Sequence, residues 1–355
     1  MPSRRGMLRV LGAAGALGAG GWALLGGARG NAYYQGPVSD HFDGERFFNP
    51  GQPGPRGRLD LLRWQLLDRG AAWPSAHPSP FAPDRPPQRV AGNGVRITHI
   101  GHASFLMQTQ GRNLLLDPVW AERASPFEFL GPRRVNAPGI AFDDLPPIDA
   151  VLVTHNHYDH MDTDAIGRLW QRFRPRIVTP LGNDAILAGA VPGLTADAVD
   201  WDAVVDLGGG LTVHVEPTLH WSARGANDRG HALWASFVLQ AGARKVYCVG
   251  DSGFGDGATF RRVRQRHPEL ALALLPIGAY EPRWFMRTVH MNPDEAAQAL
   301  DLCGAAAALG HHWGTFRLTN EPVEQPAIDL GVALAARGVA PERFAAQRPG
   351  EVRMI

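Results

Sequence analysis

His155-Asn156-His157-Tyr158-Asp159-His160 follows directly on the apolar run Ala150-Val151-Leu152-Val153. Four residues of metal-ligand type thus fall within six positions, in a chain with 14 histidines among 355 residues. In an extended backbone alternate side chains point the same way, so His155 and His157 can face one point. The adjacent pair Asp159-His160 can face a second point nearby. Imidazole nitrogen and carboxylate oxygen are suitable zinc ligands. The run just after the cluster predicts a helix over Thr163–Phe173, with Asp162 as N-cap. Its Ile166, Leu169, Trp170 and Phe173 share one face at helical spacing. A strand, a ligand-rich loop and a capped helix in direct succession leave this loop little freedom.

The cluster cannot complete two tetrahedral sites alone, so further ligands are expected at the ends of later strands. Three candidates occur there. His220 follows Leu211–Val215, Asp251 ends the run Tyr247-Cys248-Val249-Gly250, and His311 with His312 ends the run Ala305–Leu309. Upstream, Val95–Ile100 alternates as a half-buried strand does. Ser104–Thr109 and Asn113–Leu116 follow as a hairpin around Gln110-Gly111-Arg112. Ile148–Val153, Lys245–Val249 and Leu270–Ile277 also read as strands. A second helix is predicted over Pro293–Cys303, with Asn292 as cap and Asp294 and Glu295 set against the dipole. Strands come in hairpin groups and helices alternate with them later, which suits stacked sheets flanked by helices.

Composition excludes some functions. The chain is 45% hydrophobic and 19% charged with a net charge of +1, so nucleic acid is not an expected partner. The arginines at 261, 262, 264 and 266 lack interleaved aromatics and read as a solvated helix face. Cys248 and Cys303 sit in apolar runs as buried thiols, with neither disulfide nor zinc-knuckle spacing. Residues 1–30 read as an export signal of twin-arginine type, or else a membrane anchor. Arg4-Arg5 precedes an uncharged stretch from Val10 to Ala28 that contains seven glycines. The expected location is therefore outside the cytoplasm, periplasmic or attached to the membrane. Residues 31–90 are a Pro- and Gly-rich extension expected to lie over the main domain, interrupted by a helical patch at Leu59, Leu62, Trp64, Leu66 and Leu67. Residues 91–355 form the main domain.

His-x-His-x-Asp-His, a later His, a Gly-Asp and a last His, in that order, resemble the metallo-β-lactamase superfamily. Further blocks narrow the resemblance: Ile100-Gly101-His102-Ala103-Ser104-Phe105, Asp117-Pro118-Val119-Trp120, Gly131-Pro132-Arg133-Arg134, Gly250-Asp251-Ser252-Gly253, Gly278–Trp284 and His312-Trp313-Gly314-Thr315-Phe316. Together, over roughly residues 90 to 325, they look like the N-acylphosphatidylethanolamine-hydrolysing phospholipase D branch. The resemblance implies an α/β (α+β) chain folded as an αββα sandwich, two mixed β-sheets flanked by helices with metals at one edge. It implies two zinc ions. His155, His157 and His220 would hold one, Asp159, His160 and His312 the other, and Asp251 would bridge them. His312 is preferred to His311 because Trp-Gly-Thr-Phe follows it. His102 is expected to be structural.

A hydroxide activated by the metals would then be the nucleophile, with Asp159 and Asp251 nearest to it as catalytic residues, chiefly in their role as ligands. Tyr280, Arg283 and Trp284 are candidates for contact with a substrate phosphate or acyl chain. The expected substrate is a phospholipid or another small molecule, with contact to a membrane surface. Two other readings stay open on the residues: a lactone or carboxylic ester hydrolase, and a non-hydrolytic metal or redox module.

Overall fold

Short apolar strands separated by polar turns build two sheets. The computed structural model describes residues 30–68 and 70–355. The export signal or anchor expected over 1–30 therefore lies outside the described residues, apart from Gly30. The chain divides after Asn31 into two units, the second being Ala32–Ile355. In that unit a helix α1 (Arg58–Leu67) precedes the strands β1 (Arg96–Gly101), β2 (Ser104–Thr109), β3 (Arg112–Leu116) and β4 (Ala150–Leu152). Helix α2 (Thr163–Phe173), β5 (Arg176–Pro180), α3 (Asn183–Ala190), β6 (Asp197–Val199), β7 (Val204–Gly208), β8 (Leu211–Glu216), β9 (Ser236–Ala241) and β10 (Arg244–Cys248) follow. The rest is α4 (Ala258–Arg266), β11 (Leu272–Pro276), α5 (Arg283–Met286), α6 (Pro293–Cys303), β12 (Ala308–His311), α7 (Gln325–Ala336), β13 (Phe344–Ala346) and β14 (Val352–Met354).

One sheet runs β14-β1-β2-β3-β4-β5-β6 and the other β13-β12-β11-β10-β9-β8-β7, seven strands each. Both are mixed: β3 to β6 and β10 to β13 pair in parallel, while the hairpin strands pair antiparallel. Four layers follow from which face of each strand is apolar. Phe105, Met107, Leu114 and Leu152 of the first sheet meet Val213, Phe237, Leu239 and Leu274 of the second in the central core. The outer face of the first sheet packs on α2 and α3 through Leu115, Val151, Ile166, Leu169 and Leu187. The outer face of the second packs on α4, α6 and α7 through Tyr247, Phe260, Ala296, Leu300 and Leu330. This is the expected αββα sandwich.

Two helices begin and end where the sequence places them. Asp162 caps α2 by accepting from the amides of Asp164 and Ala165, and Asn292 caps α6 in a box completed by Glu295. Strand ends differ more. The run at 305–309 becomes a strand only from Ala308, because Gly304 closes α6 in the left-handed region and the next residues bridge to Leu270. The two cysteines are free and buried. Three of the four arginines of α4 are answered by acids: Arg262 and Arg266 pair with Asp202 and the fully buried Glu216, and Arg261 with Asp256.

The segment before β1 is fastened to this sandwich by side chains. Trp64 Nε1 donates to Asn320 Oδ1 at 3.0 Å and Trp73 Nε1 to the Glu321 carbonyl at 2.9 Å. Arg96 on β1 meets Asp84 through two contacts of 2.8 Å. Helix α1 buries no residue fully, and its Leu59, Leu62, Leu66 and Leu67 are exposed. Among the described residues no helix is long and apolar enough to cross a membrane.

Beneath β1, His99 is fully buried, with Nε2 against the His102 carbonyl at 3.1 Å and its ring stacked on Phe105. Burial lowers its pKa from the ordinary 6.5 to about 4. Between those values an unfolded chain protonates His99 and the folded one refuses the proton. Stability is therefore complete above pH 6.5 and falls as the pH drops toward 4. The loss should approach about 3 kcal/mol, at 1.36 kcal/mol per pKa unit. Urea midpoints of wild type and His99→Gln, taken from pH 7 downward, check this. The wild-type midpoint should fall faster with acid, and parallel curves would refute it.

Candidate metal centre

Strands β3, β4, β8, β10 and β12 deliver their C-terminal ends to one edge of the sandwich. The loop after β4 carries His155 to His160, the turn after β3 carries Asp117, and the loops after β8, β10 and β12 carry His220, Asp251 and His312. All seven expected ligands meet there. His155, His157, His220 and Asp251 form one group whose ligand atoms lie within 4.8 Å of one another, and Asp159, His160, His312 and His102 form a second. Asp251 Oδ2 stands 3.3 Å from His160 Nε2 and 3.5 Å from His220 Nε2, and Oδ1 stands 3.1 Å from His312 Nε2. It is therefore the carboxylate between the two groups. His311, by contrast, points away toward Phe105 and joins neither group.

The donor set fits two metal ions. His160 Nε2, His312 Nε2 and Asp251 Oδ1 are buried without a hydrogen-bond partner. Buried polar atoms left this way are costly unless something else satisfies them. The separations agree as well. Ligand atoms of a tetrahedral zinc site with bonds of about 2.0–2.1 Å stand roughly 3.3 Å apart. Here His220 Nε2 to His157 Nδ1 is 3.2 Å, His312 Nε2 to Asp159 Oδ2 is 3.2 Å and His160 Nε2 to Asp159 Oδ2 is 3.6 Å. In the first group protonation states agree too. Burial, then the neighbouring His220, lowers His157 to about 3, and burial with His160 and His157 holds His155 well below its ordinary range. Both imidazoles are thus neutral, as ligands must be. Burial works against the charge on Asp251, but His312, His160 and His290 outweigh it and hold the carboxylate ionised.

A second ring of contacts aims the ligands. Asp117 Oδ2 accepts from His160 Nδ1 at 2.8 Å and from the Thr154 hydroxyl at 2.7 Å, while Oδ1 accepts from the Thr154 amide at 2.7 Å. His220 Nδ1 meets the Val289 carbonyl at 3.0 Å. Arg224 ties the ligand loop at both ends, donating to the carbonyls of Asn156 and Met161 at 2.8 Å each. His102, Asp117, Ala279 and His312 adopt positive φ although none is glycine, and all four adjoin the site. Strain of this kind persists where the surroundings fix a functional geometry.

An apolar cleft of about 280 Å³ opens onto these groups. Leu61 and Trp64 of α1 form one wall, Phe285, Met286 and Leu318 another, and His157, Asp159, Asp251, His290 and His312 line the cleft as well. The expected substrate contacts are placed elsewhere. The Tyr280 hydroxyl donates to Asp329 at 2.5 Å, Arg283 pairs with Glu295 at 2.7 Å, and Trp284 Nε1 donates to Asp68 at 3.0 Å. All three spend their polar ends on the scaffold. The same short helix offers instead the neighbours Phe285 and Met286 to the cleft.

Two histidines were missed. His102, expected to be structural, is fully buried with Nε2 2.9 Å from Asp159 Oδ2, where it orients that carboxylate. His290 lines the cleft with Nδ1 3.9 Å from Asp251 Oδ2. Nothing in the sequence around either distinguishes it from a core histidine. Only the sharp hairpin at Gly101-His102, where both φ angles are positive, marks the first.

Residues 112–313 match the model of the Beta-lactamase superfamily domain. The chain belongs to the metallo-β-lactamase superfamily. It is a metal-dependent hydrolase of that superfamily, with its His/Asp clusters at the edge where the two sheets meet. Over 257 residues it is 37% identical to N-acyl-phosphatidylethanolamine-hydrolyzing phospholipase D 1 of Caenorhabditis elegans, covering 69% of this chain and 71% of that one. It is 29% identical to the mitochondrial N-acyl-phosphatidylethanolamine-hydrolyzing phospholipase D of Saccharomyces cerevisiae, over 65% of this chain and 50% of that one. Among solved structures, a metallo hydrolase from Ignicoccus hospitalis superposes with a TM-score of 0.54 at 19% identity, over 74% of this chain and 98% of that one. That likeness speaks for the fold.

Proposed function

We propose that this metallo-β-lactamase superfamily hydrolase is a phosphodiesterase that cleaves N-acylated phosphatidylethanolamine at the phospholipase D position, using two zinc ions. His155, His157 and His220 would hold one ion, Asp159, His160 and His312 the other, with Asp251 shared. The observation that carries the reading is the apolar cleft ending on both ligand groups, which suits a substrate with acyl chains and one charged centre. The similarity to two N-acyl-phosphatidylethanolamine-hydrolyzing phospholipases D supports it.

When bound, the metal ions activate water for attack and stabilise charge on the phosphoryl oxygens. The chain's own groups do the rest. Leu61, Trp64, Phe285 and Met286 receive apolar chains and exclude bulk water from the cleft. Asp159 is held in one rotamer by His102, and His160 by Asp117. Burial keeps His290 well below its ordinary pKa against the pull of Asp251, so its imidazole meets the cleft uncharged. Hydrolysis breaks the bond between phosphorus and the ethanolamine oxygen and leaves the diacylglycerol phosphate.

Incubating zinc-loaded protein with N-acylphosphatidylethanolamine should release phosphatidic acid and N-acylethanolamine in equal amounts, read by mass spectrometry. Cleavage of a lactone panel with the lipid left intact would replace this reading with that of a carboxylic ester hydrolase.

A further inference from the structure

Beside the metal cleft runs a second groove, between α1 and the loop 221–229, sharing with the cleft the walls Leu61, Trp221 and Arg229. Three arginines line it: Arg46, Arg58 and Arg229. We propose that this groove is an anion subsite in which Arg46, Arg58 and Arg229 bind a phosphate group.

The charge balance carries the inference. Among the described residues no carboxylate stands within ion-pair distance of Arg58 or Arg229, and Arg46 has only the exposed Glu45 at 3.5 Å. Asp43 feels the charge of Arg46 but spends its carboxylate on the backbone amides of Glu45 and Arg46. Asp228 accepts from the backbone amides of Arg224 and Gly225 and from the Tyr33 hydroxyl, and Asp60 accepts from the Gly57 amide. On α4, by contrast, Arg261, Arg262 and Arg266 are each paired with a carboxylate. Burial and then the facing charges of Arg58 and Arg46 lower the pKa of Arg229, the mark of like charges held together. Like charges brought together without counter-charge are tolerated where an anion joins them.

The donors are also aimed. Arg229 lies over the Trp221 ring at 4.6 Å, and one of its nitrogens donates to the Arg56 carbonyl at 2.8 Å. Arg58 is fixed by Ala226 and Asn227. A guanidinium carries five N–H donors, so each keeps free ones for a phosphate, whose oxygens match its planar fork. Trp221 also meets the His157 ring edge-on, with centroids 4.6 Å apart. The subsite thus lies one indole away from the candidate metal ligands. It would take a phosphate other than the one being cleaved, either on a membrane lipid headgroup or on a free phosphate monoester. Any effect on turnover rests on the phosphodiesterase reading; the binding does not.

The test is calorimetric titration of metal-loaded protein with inorganic phosphate, alongside pelleting with phosphatidylcholine vesicles with and without phosphatidylglycerol. Arg58→Gln/Arg229→Gln should bind phosphate about tenfold or more weakly than wild type, while the matching Lys pair keeps most of the affinity. Arg46→Gln/Arg58→Gln, at exposed positions, should show the same direction and guards against misfolding of the first pair. A parallel drop in pelleting with phosphatidylglycerol vesicles would make the source a lipid headgroup. Unchanged pelleting with weakened phosphate binding would make it a soluble phosphate. Equal phosphate affinity in wild type and both Gln pairs would overturn the subsite. A wild type that binds phosphate through these arginines yet leaves N-acylphosphatidylethanolamine intact would sink the proposed reaction and spare the subsite.

Discussion

Replacing Asp251 with alanine is expected to lower hydrolysis by more than about a thousandfold and to strip metal from both ligand groups, since even groups one step removed from a metal cost about 10–100-fold. Asp251 is the one carboxylate between the two clusters, 3.3 Å from His160 Nε2 and 3.1 Å from His312 Nε2. Its charge also sustains its neighbours. Burial pulls His312 down, yet Asp251 and Asp159 lift it to about 9. The fold should survive, because the variant removes a buried charge from the loop after β10 and no core contact. Elemental analysis should find about two zinc per chain in wild type and well under one in the variant, with matching far-ultraviolet dichroism. Two metals retained in Asp251→Ala, or wild-type rates, would remove the shared-carboxylate assignment.

Asp117→Ala should cost stability and metal together. The carboxylate is fully buried and satisfies three donors, the Thr154 amide, the Thr154 hydroxyl and His160. Burial pushes its pKa up, and the bonds from His160 and Thr154 oppose that push. Without it the Thr154 amide is left buried and unpaired and His160 loses its aim. Breaking a buried pair on one side costs about 3–5 kcal/mol, and metal affinity should fall about 10–100-fold. Chelator competition and urea unfolding report the two losses separately. Asp117→Asn, which keeps a carbonyl acceptor, should recover part of each. A variant with weakened metal binding but unaltered unfolding would show that Asp117 only aims His160.

Most of the site was legible because its ligands sit where parallel strands end, and strand ends are marked by abrupt changes from apolar to polar. His155 to His160 after Val153 and Asp251 after Val249 are such places. The layered fold followed from the alternation in Val95–Ile100 and the caps Asp162 and Asn292. What stayed hidden has physical causes. Strand β9 lies inside a run that is apolar at nearly every position and buried on both faces, so no period distinguishes strand from helix. Strand β5 is five residues long and ends in Pro180. Phe285 and Met286 line the cleft while the neighbouring Arg283 and Trp284 do not, because the rotation of a one-turn helix is set by its tertiary partners. For Arg283 and Trp284 those partners are Glu295 and Asp68, distant in sequence.

The two sheets are laced together along both of their long edges. On one side β6 passes into β7 through residues 200–203, and on the other β13 passes into β14 through residues 347–351. Stitches this short stop the sandwich from opening like a book. A bulky guest must therefore be admitted at the open end, by parts that ride on the surface. Helix α1, one wall of the cleft, has no fully buried residue of its own and is held by the Trp64 bond to Asn320, its ring contact with Phe285 and the bonds of Arg58 to Ala226 and Asn227. The frame around the cleft is thus fixed by its seams, and the ten residues of α1 are the wall laid on from outside.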